Sequence, residues 1–443
     1  FKVMLLDDNK RFRYSTMDEL IADIEKFNLD IPFSHDLAPL REKIELNGKT
    51  IGNRLAIHPM EGCDSTLDGA PGELTTRRYM RYTKGKAGLI WFEATAINEK
   101  GRANDQQLFL NERTVGDFSL LINRMREEAD EGGTPSPYLV LQLSHAGRFG
   151  DHKIIAIHDE KLDKLAKVEP SCPVISDREL EELESAYVNV ARLAKQAGFD
   201  AVDVKSCHRY LLSELLGARE REDKFGGSYE NRTRLIKEVV TKIKREVGIE
   251  VAIRLNISDF LEYPIGWGVN EKGEVDLSEP LKLVGELRDM GVRLINVTAG
   301  SPYINAYISR PADGEARKYT PPEYPLLGVE RLIKLSREVQ ENFKDITVVA
   351  TGLSWLREFA PYVASGMVEK GYAKIAGFGR MAFAYPDFAK DILHNKGMDK
   401  RKVCITCIRC AELKAHRKIT GCVIRDSEIY LKPYRDIEKR EGE

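Results

Sequence analysis

The chain has 443 residues, 42% hydrophobic and 31% charged, with a formal net charge of −2. That is the make-up of an ordinary globular protein, long enough for one large core plus an appendage. A near-neutral balance offers no field for nucleic acid or an anionic membrane, and no apolar run approaches the roughly 20 residues a membrane helix needs.

Residues 1–50 read as an N-terminal extension. Met17, Leu20, Ile21, Ile24 and Phe27 have helical spacing behind Ser15 or Thr16 as an N-cap, and Leu46-Asn47-Gly48-Lys49 is a hairpin-turn signal. From there a unit repeats: a short apolar run, a polar loop, then an amphipathic helical pattern. Strands are predicted at 55–60, 88–96, 138–143, 201–204, 250–255, 294–298, 346–350 and 373–376, with helices at 177–196, 228–247, 277–290 and 328–339 among those between them. Gly88, Gly198, Gly248 and Gly291 precede strands as helix C-cap signals. Eight strands alternating with helices predict an α/β fold, a (β/α)8 TIM barrel over 51–395. The connection from 147 to 177, rich in Lys, His and Pro, is too long for a plain turn and reads as a functional or capping loop. After a helical stretch at 386–393, Lys396, Lys400, Arg401 and Lys402 lead into clustered cysteines. The segment 396–443 then ends in a charged tail, read as a strap or a frayed end.

Three groups of residues carry chemistry. The strand 201–204 breaks at once into Lys205, Cys207, His208, Arg209 and Tyr210, and the carboxyl ends of barrel strands are where reacting side chains sit. Cys404, Cys407 and Cys410 stand three apart, with Cys422 after eleven more residues; that spacing fits a [4Fe–4S] cluster, and structural zinc is the rival reading. Cys63 and Cys172 read as ordinary thiols. Gly352 ends the seventh strand, and Gly379 with Arg380 follows the eighth. Those are the positions where barrels hold phosphate. Gln142 and Arg254, polar groups inside apolar strands, must either pair within the core or face a ligand.

These residues resemble the Old Yellow Enzyme family of NADH:flavin oxidoreductases, in its iron–sulfur branch with 2,4-dienoyl-CoA reductase and trimethylamine dehydrogenase. The resemblance runs from about Leu46 to Cys422 through Asn53-Arg54 with His58-Pro59-Met60, Gln142 with His145 and Arg148, Phe225 to Arg232, Gly379-Arg380 and the four cysteines. It implies that Pro59, Met60 and Ala94 lie along FMN and that Gln142 hydrogen-bonds its pyrimidine ring. It further implies that Arg254 stabilises the reduced flavin and that Gly352, Gly379 and Arg380 hold the phosphate. Tyr210 matches the proton donor, and His208 matches one of the pair that grips the substrate. Lys205 stands where the pair usually has His, Tyr or Met. Glu61 stands where Thr or Cys often tunes the flavin.

The implied activity is reduction of an activated C=C bond in a small-molecule substrate, with the cluster relaying electrons to FMN. Because larger relatives continue into FAD- and NAD(P)H-binding domains, a redox partner is expected: a ferredoxin, an electron-transfer flavoprotein or a separate flavoprotein, with NADH as direct or indirect donor. A labile cluster and the lack of a signal-peptide pattern suggest a reducing cytoplasm; a homo-oligomer is left open. The rival is an amine dehydrogenase that sends electrons outward, and a non-catalytic barrel stabilised by zinc is a third reading.

Overall fold

The computed structural model describes residues 11–133, 135–313, 320–394 and 397–442; Lys396 and the expected boundary at 395–396 lie outside them. A helix, Met17–Lys26, opens the described chain, with Thr16 and Glu19 forming a reciprocal capping box. The hairpin follows as β1 (Ile44–Leu46) and β2 (Lys49–Ile51), antiparallel about Asn47-Gly48.

Eight parallel strands then close on themselves. They are β3 (Leu55–Ile57), β4 (Leu89–Ala96), β5 (Tyr138–Ser144), β6 (Ala201–Val204), β7 (Glu250–Ser258), β8 (Leu294–Ala299), β9 (Thr347–Ala350) and β10 (Ile375–Phe378). Each pairs with the next, and β10 returns to β3. The chain is therefore a TIM barrel, as the alternation predicts. Nearly every strand residue is buried, because helices cover the outer face and side chains fill the inner one. Leu46 and Ile51 of the hairpin pack with Leu89, Tyr138, Ala201, Leu294 and Ile375, the first residues of five strands. The hairpin thus closes the amino end of the barrel, leaving the carboxyl ends as the open face.

Several boundaries differ from expectation. β3 stops at Ile57, so Pro59 and Met60 belong to the loop after it. Gly198, Gly248 and Gly291 have positive φ as caps require, whereas the left-handed residue before β4 is Lys86. Gly88 serves packing instead: a Cβ there would lie 2.5 Å from the Asn53 carbonyl oxygen. The tail, expected to be a strap or a frayed end, is packed and not frayed: it forms a helix, Ser427–Gly442, whose Tyr430, Tyr434 and Ile437 bury against Leu413 and Val423. Among the described residues no helix is long and apolar enough to cross a membrane.

Candidate active site

Inside the barrel, β5, β6, β7 and β8 carry a buried polar layer: Gln142, Asp203, Arg254 and Asn296. Register sets Gln142 beside Asp203 and Arg254 beside Asn296. The Asp203 carboxylate organises it. One oxygen accepts from Trp91 Nε1 at 2.9 Å and Gln142 Nε2 at 2.7 Å, and the other accepts from the Arg254 backbone N–H at 2.7 Å. Burial raises its pKa to about 6 despite these three donors. Since Asp203 takes the Gln142 amide nitrogen, Gln142 is left with its carbonyl oxygen as the free acceptor. Nothing in the sequence pattern separates Asp203 from a merely polar strand residue.

Above this layer lies a cavity of about 450 Å³, within the range of small-ligand sites. Pro59, Met60, Glu61, Gln142, Lys205, His208, Tyr210, Arg254, Gly352, Gly379 and Arg380 all line it. Ala94 does not: it packs with Ala103, Ala146, Tyr210 and Tyr303, and its carbonyl accepts from Gln107 Nε2.

Its wall holds buried polar atoms with no protein partner: Arg254 Nε, Arg380 Nη1, Thr351 Oγ1 and one oxygen of Glu61. Arg254 makes no ion pair among the described residues, and burial lowers its pKa. A buried guanidinium in that state calls for an anionic ligand. Gly352 has φ 91°, and a Cβ there would lie 2.4 Å from Leu332 Cδ1. Gly377 lets His58 cross over it, since a Cβ would sit 2.3 Å from the imidazole. His58 in turn donates from Nε2 to the Ala350 carbonyl and accepts at Nδ1 from Asn296. The unpartnered donors Arg254, Arg380 and Thr351 fit a phosphate-bearing flavin.

The reactive end is built by β6 and the loop after it. His208 and Arg209 both take left-handed backbone, φ 64° and 61°, held by a buried Arg209–Asp259 ion pair at 3.1 Å. Burial, then Arg254 and Lys205, holds His208 neutral, well below its ordinary range. Lys205 Nζ sits 3.6 Å from the Tyr210 ring centre, and burial lowers its pKa to about 8 although Glu61 opposes this. The Tyr210 hydroxyl donates to Glu61 at 3.1 Å and lies 3.1 Å from the Tyr303 hydroxyl. Burial would raise Glu61, but Lys414 and Lys205 outweigh it and keep the carboxyl below its usual range. Burial and Glu61 push Tyr210 well above an ordinary phenol. Sequence reading missed Tyr303 and Lys414; no motif marks either one.

Lys414 comes from the cysteine segment and ion-pairs with Glu61 at 2.9 Å. That segment is strapped to the barrel: Thr420 N–H donates to the Gly62 carbonyl at 2.7 Å, and Asp426 bridges Arg77 and Arg81 of the helix Glu73–Lys84. Cys404, Cys407, Cys410 and Cys422 line one small cavity, and Arg380, Phe383 and Cys410 line both it and the large one. Thr406 and Ile408 are left-handed, so the chain coils between the cysteines. The Thr406 and Arg425 N–H groups donate to Cys404 and Cys422 sulfur at 3.4 and 3.3 Å. Among the described residues no group of His, Cys, Asp or Glu is arranged to hold a metal ion as it stands.

A profile of the NADH:flavin oxidoreductase / NADH oxidase family matches residues 39–398. The chain belongs to this family. Membership makes it a flavin-dependent oxidoreductase of the Old Yellow Enzyme kind and names FMN as its flavin. It is 31% identical to an NADPH dehydrogenase of Bacillus pumilus over 265 residues, 58% of this chain and 72% of that one. It is 28% identical to the Bacillus subtilis NADPH dehydrogenase over 267 residues, 58% and 72% of the two chains. Among solved structures it resembles a 2-naphthoyl-CoA reductase (TM-score 0.70, 19% identity, 88% of this chain and 57% of that one). It also resembles a histamine dehydrogenase from Rhizobium sp. 4-9 (0.67, 19%, 88% and 52%). The chain spans little more than half the length of those two neighbours, and the likeness to them is one of fold.

Replacing Asp203 by Asn leaves one acceptor oxygen where two served three donors, so the orientation of Gln142 is no longer fixed while the barrel stays intact. FMN is expected to dissociate about tenfold more readily, the worth of one misdirected buried hydrogen bond. Fluorescence of released flavin on dilution measures it; unchanged affinity removes Asp203 from cofactor positioning.

Proposed function

We propose that this family member is an FMN-dependent ene-reductase acting on an activated C=C bond: an enone, enoate or enoyl thioester. The observation that carries the reading is the convergence of Lys205, His208 and Tyr210 on one end of a cavity whose floor is Gln142 and Arg254. Gln142, Arg254, Gly352, Gly379 and Arg380 are the residues we assign to FMN, with Pro59 and Met60 along it. Bound reduced FMN would supply the hydride, with the NADPH dehydrogenase relatives favouring a nicotinamide nucleotide as donor.

The protein's own residues supply protons and charge. Neutral His208 and the Lys205 ammonium hold the substrate's carbonyl or carboxylate and stabilise the negative charge that develops there. Tyr210 gives its proton to the α-carbon. Ionised Glu61 keeps that phenol protonated until the substrate claims the proton, and Lys205, against the ring, stabilises the tyrosinate left behind. Glu61 and Lys205, which depart from the family pattern, thus act together.

We assign Cys404, Cys407, Cys410 and Cys422 to a [4Fe–4S] cluster, which would supply single electrons from a ferredoxin, an electron-transfer flavoprotein or a separate flavoprotein. On this reading residues 51–395 are the catalytic barrel and 396–443 the cluster segment. An amine dehydrogenase is disfavoured by charge, because Lys205, Lys414 and Arg254 line the cavity that a cationic ligand would have to enter.

In Tyr210→Phe, flavin reduction by dithionite is expected to persist while reoxidation by cinnamaldehyde slows about 10²–10⁴-fold, the usual worth of a positioned proton donor. Undiminished reoxidation in stopped-flow defeats the assignment. The Lys205 charge is present below about pH 8 and lost above it. Turnover should therefore fall as pH rises through that value, and Lys205→Met should flatten that limb; a limb that survives the substitution belongs to another group. Cys404→Ser with Cys410→Ser should strip iron from anaerobically purified protein while FMN stays bound. Iron content equal to wild type, or zinc in its place, refutes the cluster.

A further inference from the structure

The ene-reductase reading uses the deep end of the cavity and leaves its mouth unexplained. Three basic side chains meet there from two distant segments. Lys153 and Lys167 come from the long connection between β5 and β6, and Arg417 comes from the cysteine segment. They lie at the solvent end, where Arg417 is 59% exposed and Leu165 beside them 51%. Lys205 and Arg254 are buried at the other end, with His208 half-buried beside them.

The three cations feel one another. Burial, then Arg417, lowers the Lys153 pKa; Lys167 adds to this and Asp151 opposes it. Arg417 pairs with Asp151. Lys153 Nζ donates only to the Arg148 carbonyl, at 3.3 Å, and neither lysine has an acidic partner among the described residues. Three cations gathered around a single carboxylate, Asp151, carry a positive excess that costs free energy and that a bound anion would offset. Along the whole cavity eight basic residues face one acid, Glu61, among the described residues. Arg380 and Arg254 are assigned to the flavin, and Glu61 balances Lys414. The excess at the mouth remains. Phe149 and Ala166 give the same cavity apolar wall.

We infer that the mouth formed by Lys153, Lys167 and Arg417 binds an anionic handle of the substrate, a carboxylate or phosphate group remote from the double bond being reduced. This rests on the ene-reductase reading and narrows it: the natural substrate carries its activated bond at one end and its charge at the other. The long basic connection after β5 then has a task, and the cysteine segment contributes to substrate selection as well as to redox chemistry.

The test uses the FMN-loaded protein, reduced with dithionite so that no nucleotide competes. The probes are neutral cinnamaldehyde, 4-carboxycinnamaldehyde and cinnamoyl-CoA. In the variant K153M/K167Q/R417Q, KM for the charged probes should rise about tenfold, the size expected of three partly screened contacts. kcat and all constants for cinnamaldehyde should stay unchanged. Added salt should weaken charged probes in the wild type and have little effect in the variant. A shift for the carboxylated enal alone identifies a carboxylate handle, and a shift for the CoA ester alone a phosphate one. An equal shift for neutral and charged probes, or none, overturns the inference. So does a variant that weakens NADPH binding while both charged probes are unaffected, because the mouth then docks the nucleotide. If wild type reduces none of the probes, ene reduction fails. The handle is still read from probe dissociation constants in the visible spectrum of the oxidised flavoprotein.

Discussion

One carboxylate inside the barrel fixes the geometry on which the site depends. Asp203 is fully buried, and it accepts hydrogen bonds from β4, β5 and β7 through Trp91, Gln142 and the Arg254 backbone. A buried acceptor of this kind is costly unless it is saturated, so three strands are held in register around it. The same bonds decide which end of the Gln142 amide is free and where the Arg254 side chain starts. The floor of the cavity is therefore set before any ligand arrives, and this is how a site gains from preorganisation.

The opposite wall depends on a second constraint, the strap of residues 397–442. It is tied to the barrel by a Thr420–Gly62 backbone hydrogen bond and by Asp426 between Arg77 and Arg81. Those ties bring four cysteines beside Arg380 and send Lys414 into the cavity, where it meets Glu61. Glu61 in turn holds the Tyr210 hydroxyl. The buried Glu61 carboxylate is tolerable because the half-buried Lys414 ammonium compensates it. In this way the segment that carries the cysteines also sets the charge around the proposed proton donor. Chemistry at the barrel mouth and at the cysteine cavity share the wall made by Arg380, Phe383 and Cys410.

By itself the sequence determined the fold class and the material of the site. Period and turn chemistry are local properties, so eight buried parallel strands, the Asn47-Gly48 hairpin and three positive-φ glycine caps were legible. Cysteine spacing and the Gly379-Arg380 pair were legible for the same reason: the chemistry they imply needs residues at fixed short separations. Strand ends were less so: β3, expected through Pro59 to Met60, stops at Ile57, because Pro59 has no N–H to give a neighbouring strand. The helix Ser427–Gly442 escaped notice because its buried face is narrow and sits in a heavily charged stretch.

Only the tertiary structure decided which polar groups meet. Asp203 looks like any polar residue in a strand until Trp91, Gln142 and Arg254 converge on it. Tyr303 and Lys414 reach Tyr210 and Glu61 across separations of 93 residues for Tyr303–Tyr210 and of most of the chain for Lys414–Glu61. Ala94, expected along the flavin, packs with Ala103, Tyr210 and Tyr303, which line the cavity that it does not itself line. Such encounters have no sequence signature, because they depend on closing a barrel and laying a strap across it. Closure is driven by apolar burial that is indifferent to which polar side chains it brings together.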